Sequence, residues 1–368
     1  MSRCLKPYGW GHDAAARTLV AVMVLLTACT VPVYSLTGED APDLPPEQVP
    51  EVGMVTWRVT WDNDVVVNSD NQFSNGWSLQ VHGSPVRNWG AAAGTPAFGK
   101  SMARWFLPDR RDDLYFREGW SVGQAIQTPD DISRKDLIEN DVPYAAAIAV
   151  QNTWIAYDDR RLYGFGWLMG IVGPAALGEQ VQNGFHGATG SAEAMGWDNQ
   201  LKNEPLINFY YESKWKLVGS AIGDFSVGVG GSLGNLVTAA GVTMEARLGW
   251  HVPRGFLYTP DPIGRRLSFD SHLPPQEPTN WAFYGSLAAG VMAFGYSEFY
   301  DGNLFHDSHS IDHETFGEAF VVGLHYQRWR WGFHLNLSFS SDVVDPLVAG
   351  NEPDPTDNYG TLMIEFRN

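Results

Sequence analysis

Cysteine is almost missing from this chain. Cys4 and Cys29 are the two copies, and both sit near its start. With that segment removed no disulfide can form, so the fold is expected to hold without one. Basic charge is scarce as well. Lys and Arg number 24 against 42 Asp and Glu, so the net charge is 24 − 42 = −18. So acidic a chain is a poor nucleic-acid binder, because such binding rests on neutralising phosphates. Beyond residue 29 no apolar run reaches the roughly eighteen residues of a transmembrane helix, and none is expected in the mature chain. No paired nucleophile elbow is expected. No internal repeat and no second domain stand out.

Aromatic residues and glycine are plentiful: 15 Trp, 14 Tyr, 19 Phe and 39 Gly. With few charges, they suit a large antiparallel sheet with tight turns. From residue 54 onward, polar and apolar positions alternate with period two. The segments are 55–66, 73–83, 117–127, 144–157, 162–172, 203–217, 221–233, 239–251, 281–296, 315–328, 330–341 and 359–366. Most run roughly 10–15 residues, longer than soluble strands usually are and long enough to cross a bilayer at a tilt. The expected fold is all-β, an antiparallel transmembrane β-barrel of about 12 strands. A soluble β-sandwich or barrel is the alternative.

The first residues read as an export signal. Arg3, Lys6 and Arg17 precede the apolar run 18–29, which is too short to span a bilayer. Leu26-Thr27-Ala28-Cys29 resembles a lipoprotein cleavage box, with ordinary cleavage near 33–35 as the alternative. The expected organisation is a signal peptide at 1–29, a Pro-rich acidic tether at 30–53 and the barrel at 54–368.

With the start of the barrel in the periplasm, odd-to-even connections face outward. The polar stretches WDND (61–64), QTPDDISRKD (127–136) and GEQVQNGFH (178–186) then share the outer end. The first half of the connection after strand five, 175–186, has few β-branched residues and is expected to wind into a short helix ending in His186. Glycines 187, 190 and 196 are expected to loosen the chain after it. Strict alternation would put Asp62 and Asp64 on one strand face and Asn63 on the other. Carboxylates beside an amide suit a hard cation such as Ca2+; a plain Asp/Asn turn is the alternative. Ser74 falls almost opposite them on the return strand. Arg134 and Lys135 form a basic pair on an acidic face, able to hold an anionic headgroup or an oxyanion. His186 is the obvious general base of these loops. His306, His309 and His313 have a spacing that could bind a transition metal, with a solvated loop as the alternative.

Taken in order, WDND, DNQFSNGW, GQAIQTPDD, DVPYAAAI, GIVGPAALGEQVQNGFH and GWDNQLKNEP resemble the lipid A 3′-O-deacylases, the LpxR-like outer-membrane proteins. The resemblance runs from residue 55 to 368, densest up to 217. It implies a twelve-stranded barrel with its site between the outer rim and the helix after strand five. It further implies a monomeric outer-membrane esterase acting on lipid A, in which a His activates water and Ca2+ polarises the ester. By position, His186 is the base, Asn63 and Asp64 match the family's Asn-Asp pair, and Ser74 stands where the family has Thr or Ser. Asp64 and Asp62 would hold the metal. Arg134, Lys135 and Gln182 would contact the substrate. The sequence departs from the family at three places. The basic pair is reversed, DVPYAA replaces a common DRPYAG, and Ala192 stands where the family has an acidic residue. A hydrolase of another lipid ester, or a non-enzymatic barrel, are the competing readings.

Overall fold

The computed structural model describes residues 55–67, 73–87, 97–107, 114–258, 281–341 and 356–368. The expected signal and tether lie outside them. Twelve antiparallel strands close into a barrel in which each strand pairs with its sequence neighbours and β1 pairs with β12. They are β1 Thr56–Asn63, β2 Phe73–His82, β3 Tyr115–Gln127, β4 Ala145–Tyr157, β5 Arg161–Val172, β6 Glu204–Ser220, β7 Gly223–Gly234, β8 Val237–Trp250, β9 Trp281–Ser297, β10 Phe316–Arg328, β11 Trp331–Ser341 and β12 Thr356–Arg367. Among the described residues, three α-helices lie in the connections: α1 Ala97–Phe106, α2 Gly178–Thr189 and α3 Glu298–Asp301. No helix among the described residues is long and apolar enough to cross a membrane. The crossing is made by strands.

The period-two pattern forms strands because the two faces meet different media. On β1, Trp57 and Val59 point out and are exposed, while Thr56, Arg58, Thr60 and Asp62 point in and are buried. Met169, Ile207, Val242, Val291 and Ile364 continue the outer apolar belt, as a lipid-facing surface requires. The lumen is packed with paired polar groups. Arg58 Nε bonds Glu365 Oε2 at 2.7 Å. Lys214 Nζ meets Glu245 at 2.7 Å and Glu212 at 3.5 Å, and Lys216 meets Asp224 at 2.7 Å. Buried charges need such partners.

Both ends of the lumen are covered. At the periplasmic end, residues 252–258 turn inward. Gly255 O accepts from Lys216 Nζ at 2.5 Å and Arg247 Nη2 at 2.7 Å, and Tyr258 OH accepts from Gln80 Nε2 at 2.6 Å. At the outer end, the β9–β10 connection folds across the mouth. Gln127 Nε2 donates to Phe299 O at 2.9 Å, and Ile311 packs on Val142.

Several boundaries differ from the sequence expectation, and β1 ends at Asn63 rather than at 66. β6 runs on to Ser220, past a bulge between Lys216 and Val218. β12 begins at Thr356. The helix after β5 begins at Gly178 rather than at 175, because Pro174–Ala176 forms a 3-10 turn and Leu177 takes a left-handed conformation (φ 62°). It also runs through Gly187 and stops at Gly190 (φ 78°).

Candidate active site

The β5–β6 connection does not project into solvent. It folds back over the outside of the barrel wall at the outer rim. Ala176, Val181, Ala194 and Trp197 pack on Ile126, Tyr144, Ala146 and Ile148 of the wall and its β3–β4 loop. The turn that starts it is pinched. Gly173 has φ 98°, and a Cβ there would sit 2.5 Å from the Lys202 backbone. Gln124, whose side chain points outward, donates to Ala176 O at 2.5 Å and accepts from Trp77 Nε1 at 2.9 Å.

At the far end of α2, Phe185 meets Trp61 of β1, with ring centroids 6.2 Å apart. Trp61 and Asn63 are two residues apart on one strand, so they share its outward face. The His-bearing turn and Asn63 therefore lie on the same side of the wall. Asn63 Nδ2 donates to Ser74 O at 2.8 Å, and Ser74 Oγ bonds Thr128 Oγ1 at 2.6 Å. This chain joins the first two outer connections. Asp64 is buried and opens the 3-10 turn Asp64–Val67, so it leaves the strand rather than alternating with Asn63. The Asp62 side chain lies across the wall, in the lumen, and accepts from Thr361 Oγ1.

His186 is held from both directions. Its carbonyl accepts the N–H groups of Gly190 at 2.8 Å and Ser191 at 3.0 Å. Its ring Nδ1 lies against Ala192 O. A carbonyl can only accept, so Nδ1 carries a proton, and in the neutral ring the lone pair is on Nε2. Ala192 is where the family resemblance has an acidic side chain. Here the backbone carbonyl of that same residue meets the imidazole.

Gln182 is buried, and its Oε1 has no hydrogen-bond partner among the described residues. Arg134 forks onto Asp136, with Nε to Oδ1 at 3.3 Å, and this carboxylate raises its pKa through hydrogen bonding and charge. Lys135 is exposed. Its carbonyl accepts from Asn199 Nδ2 at 2.8 Å, and Met195 N donates to Ile132 O at 2.8 Å. Those two bonds sew the basic loop to the strand-ward half of the β5–β6 connection. The Asn63 amide, the Asp64 carboxylate and nearby backbone carbonyls are hard oxygen donors, the chemistry that suits Ca2+. No three His, Cys, Asp or Glu side chains cluster as metal ligands among the described residues.

The three His of the β9–β10 connection go separate ways. His306 faces Glu204 at 3.5 Å, His309 faces Asp141 O at 2.9 Å and His313 faces Asp301 at 3.1 Å. They tie that connection down instead of sharing a ligand. Glu204 also accepts the N–H groups of Leu304 at 3.2 Å and Phe305 at 3.0 Å. Beside it Glu298 is fully buried, and burial pushes its pKa up to about 7. Two runs, 119–123 and 230–234, match Gly-x-Ser-x-Gly by letter. Both lie inside strands, β3 and β7, without the strand-to-helix turn that exposes a nucleophile.

A family model described as outer membrane protein LpxR matches residues 20–367. The chain belongs to this family. LpxR proteins are lipid A 3′-O-deacylases of the outer membrane, and the closed twelve-stranded barrel with one helix after β5 agrees with that membership. Among solved structures, LpxR from Salmonella typhimurium superposes with a TM-score of 0.64 at 15% identity, over 84% of this chain and 99% of that one. The β-domain of the Bordetella autotransporter BrkA reaches 0.39 at 6% identity, over 85% and 97%. The NanC porin reaches 0.34 at 7%, over 85% and 98%. No curated protein matches in sequence.

Trp61, Gln124, Thr128 and Phe185 were not singled out in the sequence. For Gln124 and Asn63 a signal existed. Each is a polar residue on a strand face that would otherwise meet lipid, which implies a covering element.

Proposed function

We propose that this chain hydrolyses the 3′-linked acyl or acyloxyacyl ester of lipid A, with His186 as general base. The observation that carries the reading is the His186–Ala192 contact, on a helix turn docked beside Trp61 and Asn63. With Nδ1–H held by a carbonyl, Nε2 is the nitrogen able to take a proton from water. The resulting hydroxide adds to the ester carbonyl. The tetrahedral species then collapses, the acid leaves on one side, and the sugar oxygen takes the proton back from the imidazolium. Asn63 and Asp64 are the residues that would hold Ca2+, with the Ser74 carbonyl steadying the Asn63 amide and Thr128 holding the Ser74 hydroxyl. When bound, that ion supplies a Lewis acid for the ester carbonyl. Asp62 faces the lumen and in this reading supports the strand rather than the ion. Gln182 would offer its buried Oε1 to an N–H or O–H of the substrate. Lys135 would meet an anionic group of lipid A, since Arg134 already forks onto Asp136.

The test is the mass spectrum of lipid A from cells with and without the chain. Loss of a 3′ acyl mass, abolished by EDTA and restored by Ca2+, is expected. An unchanged spectrum with folded protein in the membrane refutes the deacylase reading. A spectrum that changes in the same way with EDTA present refutes the metal assignment alone.

A further inference from the structure

Helix α1, in the β2–β3 connection, is not used by the site. It lies at the opposite, periplasmic end of the barrel. Yet it is docked on the outside of the wall, on the face where other strands carry the lipid-facing belt. Phe106 stacks on Phe165 of β5, with centroids 4.3 Å apart and planes 7° from parallel. Leu107 is buried against Phe116 of β3, Trp154 of β4 and Phe165. In strand register these wall residues alternate with inward ones such as Tyr115, Ile155 and Leu162, which belong to the interior core.

The wall beneath has a feature that calls for cover. Glu118 of β3 and Asn152 of β4 point outward and are buried. Glu118 Oε1 accepts from Asn152 Nδ2 at 3.1 Å and from Trp120 Nε1 at 3.0 Å, and Lys100 of α1 acts on Glu118 electrostatically. A carboxylate and an amide on the lipid side of a barrel are costly unless paired and shielded. Trp105 is 85% exposed and Phe106, beside it, 50%. Upward along the same wall, the outward side chains are the exposed Val150 and Met169.

We infer that α1 is an interfacial membrane anchor, lying in the phospholipid leaflet on the periplasmic side, with Trp105 at its headgroup boundary. Three observations converge on that occupant. Phe106 is stacked on the outward face of β5, the face that carries the lipid-facing belt, and stays half exposed there. The exposed aromatic pair of α1 includes a Trp, which favours the water–bilayer boundary. A ten-residue amphipathic helix docked on a barrel wall can lie in the interface plane, as amphipathic anchors do. The outer leaflet holds the substrate, so α1 and the site would grip opposite leaflets of one bilayer.

The test uses the full chain labelled with 5-fluorotryptophan, in phospholipid nanodiscs, and reads 19F resonances. The resonance missing from Trp105→Phe identifies Trp105. A phospholipid with a nitroxide high on its acyl chain is expected to broaden that resonance until it is lost, as it does that of Trp57 in the belt. A soluble gadolinium chelate is expected to broaden it less than the nitroxide lipid does. The inference is overturned if the chelate broadens it more than the nitroxide lipid does. Trp105→Phe alters only an exposed ring, so failure to fold does not confound the comparison.

Discussion

Gly178 is the position where one added methyl group tests the architecture of the site. An ideal Cβ there would sit 2.6 Å and 2.9 Å from two ring carbons of Trp197, and nearer still to Ala146 Cβ. Neither neighbour is a flexible tip. Ala146 is part of the β4 wall, and Trp197 is buried with its ring 5.0 Å from that of Tyr144. Carbon contacts settle near 3.5–4.0 Å, so the first turn of α2 must retreat by about 1 Å. Overpacking of this kind costs roughly 1–3 kcal/mol. The larger consequence is for chemistry, because α2 is the rod that carries His186 to the rim. A misplacement of about 1 Å costs on the order of 100-fold in rate. The assay is the initial rate of 3′ acyl release from lipopolysaccharide in mixed micelles. The temperature at which the folded band disappears on a gel is read in parallel. Gly184→Ala in the same helix is the matched control, since nothing lies within 4 Å of its Cβ position. That change gains about 1 kcal/mol of helix propensity and leaves the rate unchanged. If Gly178→Ala works at the wild-type rate, α2 is not the wall of the site and the reasoning fails.

His186→Ala is expected to lower kcat by about 10²–10⁴ while the folded band keeps its melting temperature; a rate within a few-fold of wild type would remove His186 from the mechanism. Lys214→Met leaves Glu212 and Glu245 facing one another inside the barrel and is expected to cost about 3–5 kcal/mol, read as a lower urea midpoint for unfolding. Glu298 gives a pH signature at the outer cap. Its carboxyl titrates from 4.5 unfolded to about 7 folded, chiefly because of burial, with the Glu204 charge adding to the rise and the Tyr296 and Asn303 hydrogen bonds opposing it. Below 4.5 both states are protonated and nothing changes; between 4.5 and about 7 the unfolded state loses its proton first, so stability falls as pH rises. The penalty is full above about 7 and amounts to about 2 kcal/mol, allowing for solvent at the rim. Hydrogen exchange across 298–313 is expected to quicken over that window, and Glu298→Gln should remove the pH dependence.

Period-two alternation determined the barrel. A strand with lipid on one face and a packed lumen on the other has to alternate, so twelve strands and their outward connections were legible in residue order alone. Aromatic and glycine content pointed the same way. The family resemblance rested on local runs, and it pointed to His186, Asn63 and Ser74 because the sequence runs that carry it surround them. Other features depended on residues far apart in the chain. Alternation put Asp64 level with Asp62, but the strand ends at Asn63 and the chain turns into a 3-10 helix. Helix α2 was expected to start at 175, and its start at Gly178 is set by packing against Ala146 and Trp197.

The sequence by itself therefore determined a polar and apolar rhythm, and with it an outer-membrane barrel with a His-bearing helix on the outer side. Only the tertiary structure decided that this helix lies on the outer face of the wall. It likewise decided that Asn63 faces the helix while Asp62 faces the lumen, and that the carbonyl of Ala192 accepts the imidazole N–H. The reason is physical. Rhythm is a property of neighbours one and two residues apart, whereas a site is made where the chain closes on itself, and that closure is set by which buried surfaces fit.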